Sequence, residues 1–585
     1  MRMPCGRNSS RSDRNSSPAF CPSRTVRPRS ASSTRCSRRA GTRDRHAGPV
    51  RGERPSRLAA RDTEAVVKIV VLGDVSGAGQ YHLGDEAMTE VAIEQLRRRG
   101  AEVTLIAGEV DISGPFYDVT AVPRFGFWRP ESRRGKQDLL DRILAEVRNG
   151  SPSTAELAAT VGAVREARAV VIAGGGNLNS RNTPNHIFDR LALKRIAEHF
   201  EVPLYVSSQT VGPELAWADR VMIAEIMSYA RVVGARESYT AELIAEITGG
   251  RARVVRTLDD AVLLEPSEDA MELSARLGLP DRYAVGSFTY HAWSTGLPRY
   301  QLYREIARAL DEVCERRDLD IVLLPHMGVL GESEQRGDRN DVYCHDAIVA
   351  ASRSGRIRSL PMISAREVLA VTADAEFSIS TRYHPLVFGA ALGVPAIGLV
   401  TSFYSSVRMR GALDNFGLSA FAIPFESWRS VFAARVLDAL SRDAPVLRRH
   451  ATRVSEFVRE YQSSWWDGVV ADISGHGELM TSDAVFSGGY SWAASEADAD
   501  LLLTHRLAHD ATNIDRLNVD FSVEQLREQL VESEKRIDEL ERELHALRDE
   551  TQREAAQLRH RTRPPGAALR DRINAWRRSR LGSGK

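Results

Sequence analysis

An arginine and a histidine that stand two residues apart, Arg382 and His384, are the side chains best suited to binding and protonating a small anion. They follow an apolar run typical of a buried strand, and Pro385 suits the first turn of a helix. A guanidinium group binds phosphate or carboxylate through paired hydrogen bonds, and an imidazole can carry a proton near neutral pH. We therefore predict that both side chains lie at a ligand site, with a lone structural histidine as the alternative.

A second arginine, Arg236, directly follows another apolar run at residues 231–235. An arginine at the carboxyl end of a strand faces the crevice in which doubly wound sheets bind ligands. The alternative for Arg236 is a structural ion pair with Glu237 or Asp260.

Glycine-rich segments follow two of the predicted strands, at residues 73–87 and 173–179. Glycine lets backbone N–H groups approach a ligand closely. The glycine spacing in the first segment fits neither the dinucleotide fingerprint nor the phosphate-binding P-loop. A capped helix start and a tight turn are the structural alternatives. A further cluster, residues 208–213, ends another predicted strand. The candidate contact residues of these three segments are His82, Gly84, Asp85, Glu86, Gly175, Gly176, Asn177 and Gln209.

The elements that must position these residues alternate between apolar β-branched runs and helical patterns. This alternation predicts an α/β fold with two Rossmann-like, doubly wound domains and a cleft between them. The first domain covers residues 66–265, and the second covers residues 283–466 and ends in closing helices. The predicted strands are 66–73, 102–107, 169–173, 203–207, 231–235 and 253–256 in the first domain, and 283–289, 321–324, 377–380 and 396–400 in the second.

The two ends of the chain differ from its middle. Residues 1–64 are rich in Arg and Ser and lack apolar runs, which predicts a disordered basic extension. Residues 467–519 are predicted to form a linker with some local helix, 520–560 a C-terminal coiled-coil helix, and 561–585 a basic tail. A single amphipathic helix on the protein's own surface is the alternative to the coiled coil. The seam residues are Val523, Leu526, Leu530, Ile537, Leu540, Leu544 and Leu547.

Composition excludes several classes of protein. Hydrophobic residues make up 43% and charged residues 27%, as in an ordinary globular protein, and the formal net charge of +1 gives no case for nucleic-acid binding. No apolar run reaches the length that spans a bilayer. The five cysteines contain no CxxC pair, so neither a disulfide framework nor a zinc site is expected. We predict a cytoplasmic protein without a metal.

The order of the polar clusters resembles that of the polysaccharide pyruvyl transferase family over roughly residues 68–400. His82 stands where that family usually has Asn, and Glu237 replaces the commoner Asp. The segments that carry the resemblance are residues 80–87, 174–176, Gln209 with Gly212 and Pro213, 236–238, Asp260 with Ala261, and 382–384.

The resemblance implies a GT-B-like fold and an enzyme that transfers pyruvate from phosphoenolpyruvate to a sugar of a cell-surface polysaccharide or its precursor, forming a pyruvate ketal. It implies that Arg236, Arg382 and His384 contact phosphoenolpyruvate and that Asp85 lies near the acceptor. We assign His384 as general acid and Asp85 as the weaker candidate for the base. Phosphoenolpyruvate is then a co-substrate, and no cofactor is expected.

Two other functions fit the same sequence. A GT-B glycosyltransferase would use a nucleotide sugar, and a non-catalytic scaffold would act through the coiled coil. The coiled coil predicts a homo-oligomer or docking to a partner. The basic tail with Trp576 suggests peripheral contact with an anionic membrane at its inner face, where a lipid-linked saccharide acceptor would lie.

Overall fold

The computed structural model of the protein describes residues 66–75, 80–180, 185–290, 295–331, 340–561 and 566–581. The predicted basic extension at 1–64 therefore lies outside the described residues. Of the five cysteines, the two within the described residues, Cys314 and Cys344, are buried free thiols.

The first half of the fold is a parallel sheet in the order β4-β3-β1-β5-β7-β8-β9, with β6 beside β7. Its central strands are apolar and buried on both faces, because helices cover the sheet on both sides. The strands of this half are β1 (Val67–Leu72), β2 (Tyr81–His82, outside the sheet), β3 (Ala101–Ala107), β4 (Thr120–Pro123), β5 (Ala169–Ile172), β6 (Gly175–Leu178), β7 (Leu204–Val211), β8 (Val232–Ala235) and β9 (Val254–Arg256). The helices are α1 (Leu83–Arg98), α2 (Val110–Tyr117), α3 (Arg133–Asn149), α4 (Ala155–Glu166), α5 (Asn185–His199), α6 (Trp217–Tyr229) and α7 (Ser238–Thr248).

The second half is a parallel sheet in the order β13-β11-β10-β14-β15-β16. Together the two sheets confirm the predicted fold class of two successive doubly wound α/β units followed by a helical C-terminus. The strands are β10 (Tyr283–Ser287), β11 (Asp320–Leu323), β12 (Met327–Gly328, outside the sheet), β13 (Ile357–Ser359), β14 (Ser378–Ser380), β15 (Ala396–Val400) and β16 (Ala422–Pro424). The helices are α8 (Ala270–Leu277), α9 (Arg299–Arg317), α10 (Asp341–Ala351), α11 (Ala365–Ala373), α12 (His384–Leu392), α13 (Phe403–Asn415), α14 (Phe425–Ser427), α15 (Ala433–Arg442), α16 (Ala444–Ser474), α17 (Glu496–Arg561) and α18 (Ala567–Leu581).

Two short strands join the halves at the strand ends. β2 follows the carboxyl end of β1, β12 follows that of β11, and the two pair antiparallel, with His82 opposite Met327. The backbone N–H of Leu83 also donates to the carbonyl of His326 at 3.0 Å. The carboxyl edges of both sheets therefore face the same crevice.

Helix α16 contacts both halves. Ser455 donates to the carbonyl of Ala391 in α12 at 2.6 Å. Further along, the indole of Trp465 donates to Ser207 of β7 at 3.0 Å, so the later turns of α16 pack on the first sheet. This helix ends at residue 474, eight residues beyond the predicted end of the closing helices at 466.

The segment predicted as a linker is packed against the rest of the protein. The indole of Trp492 is buried and donates to the carbonyl of Ala420 at 2.6 Å. Helix α17 begins inside this segment, and its Asp510 accepts hydrogen bonds from Ser406 and Arg410 of α13, each at 2.7 Å. Among the described residues, none of the helices combines the length and apolar character needed to cross a bilayer.

Candidate active site

Arg236 lies at the carboxyl end of β8 with its side chain fully buried. Its Nε donates to Thr210 at 2.7 Å, and one terminal nitrogen, Nη1, donates to Asp259 at 2.6 Å. The other terminal nitrogen, Nη2, has no hydrogen-bond partner among the described residues. Burial alone would lower the pKa of Arg236, but Tyr383, Asp259 and Glu237 raise it above its ordinary value. The group is therefore a fixed cation with one donor left for a ligand.

His384 is the first residue of α12, and its side chain lies near the carboxylate of Asp259, which also accepts from Arg236. Its Nε2 lies 3.8 Å from Asp259 Oδ2, beyond hydrogen-bond distance, and is buried without a hydrogen-bond partner in the described part of the chain. Burial, followed by the electrostatic effects of Arg236, His326 and Arg408, holds the pKa of His384 well below its ordinary value. The imidazole is thus neutral near pH 7 and has a free nitrogen beside a fixed cation.

The absence of a side chain at Gly84 permits this arrangement. A Cβ atom added there would overlap the imidazole of His384. Because Gly84 belongs to α1 and His384 to α12, the close contact joins the two halves of the fold. Glycine at this position is required by close approach, since no other residue is small enough.

Arg408 of α13 is a second cation at this place and was missed by the sequence reasoning. Its guanidinium carbon lies 4.9 Å from the ring centroid of Tyr383, and that of Arg236 lies 4.4 Å from the same ring. A Cβ added to Gly176 would lie 3.0 Å from Arg236 Nη2 and 3.4 Å from the guanidinium carbon of Arg408. The two guanidinium groups therefore converge on the backbone of Gly176, whose carbonyl accepts from Tyr404 at 2.8 Å.

Arg382 is oriented differently. It follows β14, and its Nη2 donates to Thr289 at 3.2 Å and also to Asp341. The buried carboxylate of Asp341 accepts from the backbone N–H of His326 as well, at 2.9 Å. Although burial raises the pKa of Asp341, the charge of Arg382 lowers it below its ordinary value, so the pair is ionised. Arg382 Nε has no hydrogen-bond partner among the described residues.

Asp85 lies at the start of α1, next to two of the predicted contact residues. Its carboxylate is 3.4 Å from His82 Nδ1 and accepts from Asn177 Nδ2 at 3.3 Å. The Asn177 amide also donates to Asp74 at 2.9 Å. The two glycine-rich segments are thereby joined through Asn177.

Asp74, at the end of β1, is the centre of a buried charge network. It accepts from Arg190 at 2.6 Å and from Arg124 at 3.0 Å, and it lies 3.0 Å from His186 Nδ1. Although burial raises the pKa of Asp74, the charges of Arg190, His186 and Arg124 lower it well below its ordinary value. These ion pairs hold the loops behind Asn177 in place.

Three of the predicted contact residues face the interior of the protein. The Glu86 carboxylate is buried and accepts from the hydroxyl of Tyr117. The Gln209 amide is buried and donates to the carbonyl of Ala173, and Gly175 pairs with Gln209 in the ladder between β6 and β7. In the structure, these residues hold the turn on which the site is built.

The structure thus brings Arg236, His384 and Gly176 together and adds Arg408, whereas the guanidinium of Arg382 shares no described partner with that of Arg236. The expected alternative ion pair of Arg236 needs one correction. The carboxylate at 2.6 Å belongs to Asp259, with Glu237 at 3.7 Å, and Asp260 instead binds α16.

Fold and site together define an α/β protein of two doubly wound halves, in which cationic side chains and a buried histidine lie in one crevice at the carboxyl edges of the sheets. The model of the polysaccharide pyruvyl transferase family matches residues 82–402, more than half of the chain, and the protein belongs to that family. The resemblance predicted from the sequence is confirmed. A search of curated proteins finds no significant match.

Solved structures with similar chain paths are distant in sequence. S. aureus MnaA, solved with UDP, is 12% identical, with coverage of 72% of this chain and 100% of the other and a TM-score of 0.45. Sucrose-phosphate synthase from Thermosynechococcus elongatus is 13% identical, with coverage of 70% of this chain and 99% of the other and a TM-score of 0.45. Anabaena HepE, solved with UDP and glucose, is 15% identical, with coverage of 69% of this chain and 98% of the other and a TM-score of 0.43.

Proposed function

We propose that this protein transfers pyruvate from phosphoenolpyruvate to a sugar of a cell-surface polysaccharide or its precursor and closes the product to a ketal. The observation that carries the proposal is the convergence of Arg236 Nη2, Arg408 and His384 Nε2 in one buried crevice of a chain in this family. Phosphoenolpyruvate offers a phosphate and a carboxylate on a three-carbon skeleton. Forked guanidinium groups suit both of these anionic groups.

The first step is binding and orientation. The free donor of Arg236 and the guanidinium of Arg408 would hold one anionic group beside Gly176. Arg382, held by Asp341, would approach the other group from the second sheet through its unpartnered Nε. Fixing both ends of the substrate presents its methylene carbon to His384 and removes much of the entropic barrier.

The second step is protonation. His384 is neutral beside two cations, so it must gain a proton before it can give one. A bound dianion offsets the field of Arg236 and Arg408 and raises the pKa of the imidazole. Protonated His384 then delivers its proton to the methylene carbon, which leaves an oxocarbenium-like centre on the neighbouring carbon.

The third step is attack by the acceptor. One sugar hydroxyl forms a bond to the oxocarbenium carbon and gives its proton to Asp85, which His82 and Asn177 orient. The bond from this carbon to the phosphate oxygen then breaks, and a second hydroxyl closes the ring. The substrate gains one proton at its methyl group, the two hydroxyls lose two, and the remaining proton leaves with inorganic phosphate.

The decisive experiment measures phosphoenolpyruvate binding by calorimetry and phosphate release with a panel of saccharide acceptors. Arg408→Gln should weaken binding about tenfold or more, because a hydrogen bond to a charged group is lost. Arg382→Gln and His384→Gln should abolish phosphate release. Arg316→Gln is the matched control, since this exposed arginine on α9 pairs with Glu312.

Each alternative has its own outcome. Turnover of a UDP-sugar without binding of phosphoenolpyruvate would establish a nucleotide-sugar glycosyltransferase. Binding of neither ligand by the folded protein would support a scaffold.

Arg236→Gln leaves Asp259 unpaired and can unfold the protein, so the substitution of the half-buried Arg408 is the variant used to test binding. The cytoplasmic location, the saccharide acceptor and the absence of a further cofactor stay predictions.

A further inference from the structure

The last helix, α18, makes a separate surface. From residue 568 to 580 every residue is exposed, so the described part of the chain covers no face of this helix. Its large apolar side chains are nevertheless in one row: Leu569, Ile573 and Trp576 are 65%, 44% and 56% exposed. Their spacing of four and three residues places them on one helix face.

Arginines border this apolar row on both sides. At helical spacing Arg572 lies on one side and Arg577 on the other. At the end of the row the guanidinium carbon of Arg580 lies 4.5 Å from the ring centroid of Trp576. Five arginines stand against one aspartate in α18, so the surface is strongly cationic.

We propose that α18 binds an anionic membrane surface, with the apolar row at the headgroup boundary and the arginines on lipid phosphates. Charge complementarity selects this occupant, because a cationic helix with tryptophan and leucine on one face has the form of an interfacial anchor. A second copy of α18 would bring arginines against arginines. A nucleic acid would satisfy the arginines but leave Leu569, Ile573 and Trp576 in water.

The test is sedimentation of the full chain with phosphatidylcholine vesicles that contain or lack phosphatidylglycerol. Binding to anionic vesicles should exceed binding to neutral ones at least about tenfold and should weaken as salt is raised. Ile573→Ser with Trp576→Ser removes two of the three apolar side chains of the row and keeps the charge. Arg577→Glu with Arg578→Glu cancels the net positive charge of the helix and keeps the row. Each pair should reduce binding at least about fivefold.

Two variants on α17 serve as controls. Arg553→Glu matches the charge reversal, and Leu507→Ser matches the apolar change at a side chain that is 61% exposed. Both should bind vesicles as the unmodified protein does. Equal sedimentation with neutral and anionic vesicles, or unchanged binding in either α18 variant, would overturn the proposal. Random-sequence duplex DNA bound as tightly as the anionic vesicles would overturn it too. This assay uses no phosphoenolpyruvate, so its result is independent of the proposed activity.

Discussion

At the scale of single residues, the proton on His384 is linked to the anion that the crevice binds. Burial, Arg236 and Arg408 keep the pKa of the imidazole well below its ordinary value. A dianion between the two arginines acts in the opposite direction and raises that pKa. Ligand binding and protonation are therefore coupled, and each must strengthen the other.

Binding of phosphoenolpyruvate should therefore take up a proton. Affinity should fall as pH rises, because the complex holds more protons than the separate components do. Calorimetry in two buffers of different ionisation enthalpy measures the uptake directly. His384→Gln should still bind phosphoenolpyruvate but with this uptake lost. The same uptake in that variant would show that another group titrates.

Gly84 gives a second prediction at this scale. Gly84→Ala should lower phosphate release about 100-fold, because the added methyl group must displace the imidazole of His384. Gly162→Ala is the matched control: this glycine is in α4, and an added Cβ meets nothing within 4 Å. If Gly84→Ala turned over normally, the imidazole position would not matter to the reaction.

At the scale of elements, α16 is fixed to the first sheet by a buried carboxylate. Asp260 accepts from Gln462 at 2.7 Å and from the indole of Trp466 at 2.9 Å. Burial raises the pKa of Asp260 to about 6. The ionised form is thus less stable in the folded protein than in the unfolded chain, and this group contributes most to folding below the unfolded pKa.

Asp260→Asn should stabilise the protein at neutral pH. The amide oxygen can accept both hydrogen bonds, and the cost of the buried charge, on the order of 3 kcal/mol from the shift in pKa, disappears. In urea unfolding the advantage of the variant over the unmodified protein should be present above about pH 6 and vanish near pH 4. Other titrating groups cancel in this difference. An equal advantage at both pH values would contradict the assignment.

What the sequence could predict also follows from the elements. Runs such as 169–173 predicted the central strands because they are apolar on both faces. The sequences of β6 (GGNL), β13 (IRS) and β16 (AIP) contain glycine, polar residues or proline and no continuous apolar run, so they gave no strand signal. Arg236 and His384 were found because each follows a strand. Arg408 is on a helix, and only the packing of α13 brings it to Gly176. Asp259 and Asp260 are adjacent in sequence, so only the fold decides which of them faces Arg236.

At the scale of the whole molecule, the later part of α17 has an apolar row that the described residues leave exposed. Leu530, Ile537, Leu540, Leu544 and Leu547 are 59%, 55%, 48%, 48% and 60% exposed. The side chains of the earlier seam residues Val523 and Leu526 lie outside the described residues. Alternating spacings of three and four residues are typical of a coiled-coil seam, so the prediction of oligomerisation stands.

The flanking charges select one arrangement. With Leu544 at position a of the heptad, Glu543 occupies position g and Arg548 the following position e, which meet across a parallel, in-register dimer. The sequence pattern repeats this complementarity one heptad earlier with Arg536 and Glu541. A parallel dimer also places both copies of α17 with their C-terminal ends together, so that two α18 helices could reach the same surface.

We therefore expect a parallel dimer in light scattering, with twice the chain mass of 64.7 kDa. Leu540→Asp with Leu547→Asp should give the monomer, because charge is placed in the seam. Glu543→Arg should weaken dimerisation about tenfold by opposing like charges in both pairs. Adding Arg548→Glu should restore it, since each pair is again complementary. An antiparallel pair would place e positions against e positions, where the two changes do not complement each other, so failure of this rescue would rule out the parallel arrangement.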